Sequence, residues 1–597
     1  MRARMVDYLM DCIYDAGAHH VFFVPGTGCM FLTDALARKK ELTAISVHHE
    51  QAAGMAALTY AKRNETLGAC VVTTGCGGTN AVTACLHAWQ DNVPCVFISG
   101  QAARNQTVRN APVPLRQMGR QEADIIAIVE SITKYAVMLN DPNDVAYEIA
   151  KAIYIAKEGR KGPVWIDVPM DIQNAIIDSD EQRQFVAPEM VQPKVTVEEM
   201  TWVKEKLQTS KRPVLMIGQG TRLAGAIKEV EAVVCKYKIP VVYSRLGHDV
   251  LDTDNPLSIG MVGMLGASRA GNFAVQNADF VLCVGSRLSI DTTGYEYEKF
   301  AREATLVVVD IDETEHNKQT VKIDKFIHSD AKFFLQKLLE ANVSLDIEDY
   351  SQKCRRWKEI FPICNPYNPE SETIDMYYFV DSLSKVLPEN ATVVSDAGNS
   401  FFTVSPTIRT KRCMNQRSVT SGGQAEMGYS LPAAIGAAFA EPNGPVAAIT
   451  GDGSVMMNIQ EFETLAYNKL NVKLFIMNNN GYSSIRHLQV GAFRGRVIGC
   501  DPSCGIGFPS FENVTKAFGL QYVKLEGSKN LPSRVKDVLS MEGPVICEVM
   551  CDTDQQFLNV STAMNSKKRI VTRPLEDQAP FMDRDLFNSE MIVAPLD

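Results

Sequence analysis

No apolar run in this 597-residue chain approaches the roughly 20 residues that a membrane-spanning helix needs. Its 15 cysteines are an odd number and include no CxxC pair, which argues against a disulfide framework and for a reducing compartment, the cytoplasm. An excess of positive charge is also missing. Lys and Arg number 60 against 70 Asp and Glu, the net charge is −10 and the pI is near 5.6, so neither nucleic acid nor an anionic membrane is an expected partner. The opening "MRARMVDYLMDCIYDAG" mixes charge with apolar residues at helical spacing and has no secretory pattern. Low-complexity segments are absent. What remains is ordinary globular material, 46% hydrophobic and 22% charged, long enough for two to four domains.

Short apolar runs ending in Gly, Pro or a polar residue recur along the chain. "HHVFFVPG", "LTAISVHHE", "LGACVVTTG", "VPCVFISG" and "GPVWIDVP" alternate with helical patterns in the first 180 residues. The rhythm returns from about 190 to 345 in "RPVLMIGQG", "IPVVYSR", "DFVLCVGSR" and "TLVVVDID", and from about 370 to 560 in "ATVVSDAG", "PVAAITGDG", "VKLFIMNNN" and "GPVICEVMCD". Continuous apolar strands between helices are the signature of buried parallel sheets. The expectation is therefore an α/β protein of three doubly wound parallel-sheet domains, 1–180, 190–345 and 370–560. "PEMVQPKVTVEE" reads as the linker after the first, and 561–597 as a tail that packs on the surface or folds over a site. In "VICEVMCDT", Cys547 and Cys551 should share one buried face.

The most informative stretch is "ITGDGSVMMNIQEFETLAYNKLNVKLFIMNNNGY", residues 449–482. One strand ends at Asp452 and another at Asn479. Between them Ile459, Phe462, Leu465 and Ala466 share a helical face, with Asn458 and Glu461 spaced as a capping box. A right-handed crossover would set both strand ends on one edge of the sheet, where ligands of such sheets bind. An acid, an amide oxygen and a free carbonyl there suit Mg²⁺, which takes its other ligands from phosphate and water. Gly451 and Gly453 would let that phosphate approach the backbone.

"GDGS", followed 27 residues after its acid by "NNNGY", resembles the diphosphate motif of thiamine-diphosphate enzymes. "SGGQAEMGYSLPAAIGAAFA", "HHEQAAGMAALTYA", "TTGCGGTNAVTACLHAWQDNVPCVFISGQ" and "DIDETEHNK" resemble the acetolactate synthase-like branch, and the likeness runs over roughly residues 5 to 560. The resemblance implies a pyrimidine-binding first domain, a Rossmann-like central one and a diphosphate-binding third. It implies that Asp452, the Asn479 side chain and the Gly481 carbonyl hold Mg²⁺. Ser454, Asn399 and Ser400 would contact the diphosphate, Gly451, Gly453 and Tyr482 would line its cradle, and Met427 would support the bent cofactor from beneath. Glu50 would bond the aminopyrimidine and favour the tautomer that takes the proton from the thiazolium carbon, so that the protein supplies a tautomer and the cofactor the chemistry. Gln121 would stand near the reacting carbon. Arg116 and Arg120 are cations that a substrate carboxylate or only solvent would meet, and His48 and His49 precede Glu50 at a strand end.

Departures from that branch refine the expectation. Its members commonly carry Gln-His where this chain has Asn399-Ser400. An Arg and a Trp select 2-oxobutyrate in the synthases, and Asp291 and Leu488 stand in their places, which disfavours an anionic acceptor. Residues 104–124 hold no histidine, whereas decarboxylases that release aldehydes carry a histidine pair there, so carbon–carbon bond formation is favoured. "IGQGTRLAG" misplaces the third glycine of a nicotinamide site, and the next strand ends in "VVYSR" without an acid; the resemblance offers FAD on this module instead, with Arg287 retained. The expected protein is a homodimeric or homotetrameric enzyme that decarboxylates a small 2-oxoacid and joins the product to a carbonyl acceptor, its site lying between subunits. The alternatives are acyl transfer to, or hydrolysis of, another carbonyl substrate, sugar-related ones included, and a non-catalytic cofactor-binding scaffold.

Overall fold

The computed structural model describes residues 2–189, 192–364, 367–564 and 570–596. Its frame is three six-stranded sheets, all parallel. The first contains His20–Phe23, Thr43–Ser46, Gly68–Val72, Cys95–Gln101, Tyr135–Met138 and Pro163–Pro169. Counted along the chain, these lie side by side in the order 2-1-3-4-6-5. The third sheet, Thr392–Ser395, Arg417–Thr420, Val446–Gly451, Val472–Asn478, Gln521–Leu525 and Val545–Met550, repeats that order. The middle sheet differs. Its strands Pro213–Ile217, Val241–Tyr243, Ser258–Met261, Phe280–Val284, Thr305–Asp310 and Lys325–His328 run 3-2-1-4-5-6. The expected three-sheet α/β architecture is thus the observed one. The apolar runs form strands because both faces of each sheet are covered by helices, leaving no solvated face to demand alternation.

The first and third modules share one core. Helix Glu50–Asn64 packs on helix Ser430–Ala440, and their Ala and Leu residues are buried in a common cluster, with Gly54 and Gly436 buried among them. Small residues are needed at this crossing. A Cβ on Gly436 would lie 2.1 Å from the Ala56 carbonyl oxygen across the two modules, while one on Gly54 would lie 2.5 Å from the Ala84 methyl within the first. The low side-chain volume of "EQAAGMAALTYA" and "SLPAAIGAAFA" is therefore a packing requirement, between modules at Gly436 and inside the first module at Gly54.

Within the linker "PEMVQPKVTVEE", residues 190–191 lie outside the described residues; Thr196 then opens helix Val197–Thr209 with a capping box to Glu199. In the tail, residues 565–569 also lie outside them. The rest clamps the middle module. Gln276 donates to Glu576 at 2.7 Å, Asn272 donates to Gln578 at 2.9 Å, and the Ile592 and Val593 amides donate to Asn277 at 2.7 and 2.9 Å. Cys547 and Cys551 are buried in one cluster, as their spacing suggests. The described cysteines are all free thiols, and among the described residues no helix is long and apolar enough to cross a membrane.

Candidate functional site

Strands Val446–Gly451 and Val472–Asn478 lie side by side in parallel, with Gly451 opposite Met477. Their carboxyl ends open together on one sheet edge, as the crossover requires. Asp452 starts a short helix, Asp452–Val455, and is 2% exposed. One carboxylate oxygen accepts from the Gly453 amide at 2.7 Å and the other from the Gly481 amide at 2.8 Å. Burial pushes this carboxyl up to about 6, against the backbone N–H groups that favour its ionised form. Asn479 is buried beside it, and its side-chain nitrogen has no hydrogen-bond partner. A desolvated acid next to an unpartnered amide is unfavourable unless something polar joins them. Among the described residues no three His, Cys, Asp or Glu side chains gather, so a cation here would lean on one carboxylate, one amide and a carbonyl. That donor set suits Mg²⁺ and does not suit zinc.

Backbone shape completes the cradle. Gly481 has φ +144°, and a Cβ there would meet the Cys500 carbonyl at 2.3 Å. A Cβ on Gly453 would fall 2.0 Å from the Tyr482 ring, whereas one on Gly451 would meet nothing within 4 Å. The open space at Gly451 is therefore walled on the Gly453 side by the tyrosine. Ser483 donates to the Asn399 side chain at 2.9 Å, joining "NNNGYS" to "SDAGNS". Helix Gly398–Thr407 begins there, and its first amides are free of intrahelical partners.

Asp396 escaped the sequence reading. It is fully buried and accepts from the hydroxyls of Ser400 and Ser454, both at 2.7 Å, and of Thr450 at 2.9 Å. Burial raises this carboxyl to about 6. The Ser454 oxygen also accepts from the Gly428 amide at 2.8 Å. The two hydroxyls expected on the diphosphate both donate to Asp396 in this structure. The strand-end rule that singled out Asp452 applies equally to Asp396, which directly follows Thr392–Ser395.

Glu50 is the first residue of its helix, where His49 accepts the Gln51 amide at 3.1 Å as the cap. Its carboxylate accepts from Asn80 at 2.9 Å. The expected capping box at Asn458 and Glu461 is not formed. Asn458 instead donates to the Gly428 carbonyl at 2.8 Å and to the Gln51 side chain at 3.1 Å, and Glu461 accepts the His48 amide at 3.0 Å. These two residues tie the Glu50 loop to the loop of Met427, which is half-buried. Tertiary partners outcompeted a local cap. Gln121 lies at the first module's own edge. Its φ is +58°, its side chain is exposed, and its carbonyl abuts Gly75. Arg116 and Arg120 are exposed in the same loop, and Leu488 is 58% exposed on helix Ser483–Ala492.

A cavity of about 630 Å³ opens beside the middle sheet. Gly220, Gly285, Arg287, Asp291 and Asp310 line it, with Gln90 and Gly422 from the other modules. A Cβ on Gly220 would lie 2.7 Å from the Gly285 Cα, so these two loops pack backbone to backbone. Asp291 is exposed within it, and Arg245, stacked 3.7 Å over the Phe401 ring, is lowered to about 10 by burial.

Family models for thiamine pyrophosphate enzymes match all three modules: the N-terminal domain over residues 3–128, the central domain over 200–338 and the C-terminal domain over 396–549. The acetolactate synthase large subunit of Lactococcus lactis is 31% identical over 92% of this chain and 93% of its own length. That of Cyanidium caldarium is 30% identical over 92% and 93%, and isozyme 1 of Escherichia coli is 29% identical over 92% and 94%.

Proposed function

Since this chain belongs to the thiamine pyrophosphate enzyme family, we propose that it decarboxylates a small, pyruvate-like 2-oxoacid and joins the product to a carbonyl acceptor, with Mg²⁺ and thiamine diphosphate bound. The observation that carries this reading is the placement of buried Asp452 and buried Asn479 at adjoining strand ends, beside the backbone left open at Gly451. Asp452, Asn479 and the Gly481 carbonyl would hold the metal. The open backbone at Gly451, walled by Tyr482 on the Gly453 side, and the start of helix Gly398–Thr407 would receive the diphosphate. When bound, thiamine diphosphate supplies the electron sink for loss of carbon dioxide. Glu50, held by Asn80, would keep a proton at its carboxyl oxygen for the pyrimidine ring, and Met427 would hold the bent geometry from below. Gln121 would orient a substrate carbonyl. The absence of histidine from 104–124 supports bond formation over aldehyde release, and Asp291 and Leu488 support an uncharged or bulkier acceptor.

Exposed Val113, Leu115, Met118, Met457, Leu488 and Phe493 support a homodimer or homotetramer that shares its sites between chains. The free thiols support a cytoplasmic setting. The test is calorimetry with thiamine diphosphate, with and without Mg²⁺, followed by pyruvate consumption. No Mg²⁺-dependent binding ends the proposal, and binding without turnover on any 2-oxoacid favours a scaffold. A second reading concerns the middle module. Its cavity, with Asp310 ending a strand and Arg287 nearby, favours FAD there, and visible absorbance of the purified protein together with FAD titration decides it.

A further inference from the structure

Beneath the Met427 loop lies a buried cluster of four ionisable side chains drawn from two modules. Lys62, on helix Glu50–Asn64, donates to Asp91 at 2.6 Å and to the Thr420 carbonyl at 3.0 Å. His87, on helix Val82–Gln90, is fully buried. Its Nδ1 lies 2.5 Å from a Glu426 carboxylate oxygen, and its Nε2 lies 3.0 Å from Asp91 and 2.8 Å from Lys62 Nζ. The His87 ring also packs 4.7 Å from that of Tyr429. Asp91 accepts the Gly422 and Gly423 amides at 2.9 and 2.8 Å. Glu426 accepts from the Ser421 hydroxyl, whose oxygen accepts the Ala425 amide at 2.9 Å. Gly422, Gly423 and Glu426 of this loop are thus fastened to the first module, and Ala425 and Glu426 to the loop's own start at Ser421.

The chemistry of the cluster makes the fastening directional. A neutral imidazole accepts from Lys62 at Nε2, and a protonated one donates to Asp91 there. In both states the Nδ1 proton points at Glu426. Burial disfavours charge on the ring, but Glu426 and Asp91 outweigh it and hold His87 above the ordinary imidazole range. Protonation leaves two cations facing two anions, a balanced set for a dry site.

Met427 sits between two fixed neighbours. Glu426 is held by His87, and Gly428 is held by Ser454 through its amide and by Asn458 through its carbonyl. Ala425 takes the left-handed conformation, φ +49°, which a residue with a Cβ keeps only where its surroundings enforce it. We propose that the His87–Glu426 pair is a positioning device of the catalytic centre, setting the height of Met427 beneath the cofactor from the first module of the same chain. This rests on the cofactor-supporting role of Met427 proposed above.

A double-mutant cycle on the cofactor-loaded enzyme tests it. Glu426→Ala, Met427→Ala and the pair are compared in kcat, KM and the near-ultraviolet circular dichroism of bound thiamine diphosphate, which reports how its two rings are turned. Glu426→Ala should lose at least tenfold in kcat with KM within threefold, and should diminish the dichroism. Added to Met427→Ala, it should cost less than twofold more. A full tenfold loss in that background overturns the proposal. His87→Asn places an amide donor where Nδ1 stood and should recover most of the kcat that His87→Ala loses; equal losses also overturn it. Failure of the wild-type protein to bind thiamine diphosphate with Mg²⁺ is a separate result, which removes the underlying reading.

Discussion

The first and third modules have the same strand order, yet their carboxyl edges carry different chemistry. In the third, the strand pair Val446–Gly451 and Val472–Asn478 ends in an acid and an amide, tightened by glycines and a tyrosine. In the first, the corresponding strands Gly68–Val72 and Cys95–Gln101 end in Thr73, Thr74 and Gln101, uncharged groups. The element after the second strand differs too. It begins with Glu50 in the first module and with the Met427 loop in the third, and the two helices that follow pack on each other. One scaffold used twice thus offers a charged edge, which we propose receives the metal and the diphosphate, and an edge of uncharged groups beside a single acid, Glu50. The middle module, with its different strand order, ends strand Thr305–Asp310 in an acid, but no strand-end amide such as Asn479 stands beside it.

The sharpest way to break this division of labour is to disable each half separately. Asp452→Ala should lower Mg²⁺-dependent thiamine-diphosphate affinity by more than about 100-fold, since loss of even an outer-shell group at a metal site costs about 10–100-fold. Glu50→Gln should leave that affinity within a few-fold but slow exchange of the cofactor C2 proton by about 10²–10⁴, the usual worth of a positioned acid or base. If sites are shared between chains, mixing the two inactive proteins should restore part of the activity. No recovery after proven subunit exchange would end the shared-site model, and wild-type exchange in Glu50→Gln would move the activating role elsewhere.

A smaller effect concerns Asp396. Its folded-state carboxyl binds protons more tightly than the unfolded one, near 6 against 3.8. A raised acid favours the folded state fully below the unfolded value, and that stability is lost as pH rises through the folded one. About 2.2 units correspond to about 3 kcal/mol at 1.36 kcal/mol per unit. In denaturant unfolding of the cofactor-free protein between pH 4 and 7, stability should fall less steeply with pH in Asp396→Asn than in the wild type, while Asp452 and Asp167, also raised by burial, keep their own share of the decline. An unchanged slope would contradict the assignment.

The glycines sharpen the comparison further. Gly436→Ala drives a methyl into the Ala56 carbonyl at the crossing of the two modules and should destabilise by about 1–3 kcal/mol. Gly451→Ala meets nothing and should leave the melting temperature within about 2 °C while weakening cofactor binding. The smallest expected effect is on the acceptor. In competition, 2-oxobutyrate should be taken no better than pyruvate, because Asp291 and Leu488 supply neither a cation nor a large ring. A strong preference for 2-oxobutyrate would overturn that reading.

Three parallel sheets and the Asp452–Asn479 pair were legible in the sequence because both are local. Buried strands write themselves as continuous apolar runs, and a crossover of fixed length delivers two strand ends to one edge. The Asn458–Glu461 spacing misled for the complementary reason. A capping box is a local competitor, and His48, Gln51 and Gly428, brought in from two other segments, bind those side chains instead. Asp396 was legible by the strand-end rule but went unread, while its capture of the Ser400 and Ser454 hydroxyls was decided by the fold. His87 and Glu426 are 339 residues apart, and neither has a sequence context that announces the other. A pattern of apolar residues determines which segments are buried. Only the packed chain decides which buried polar groups meet, because each must find its partner wherever the fold has left one.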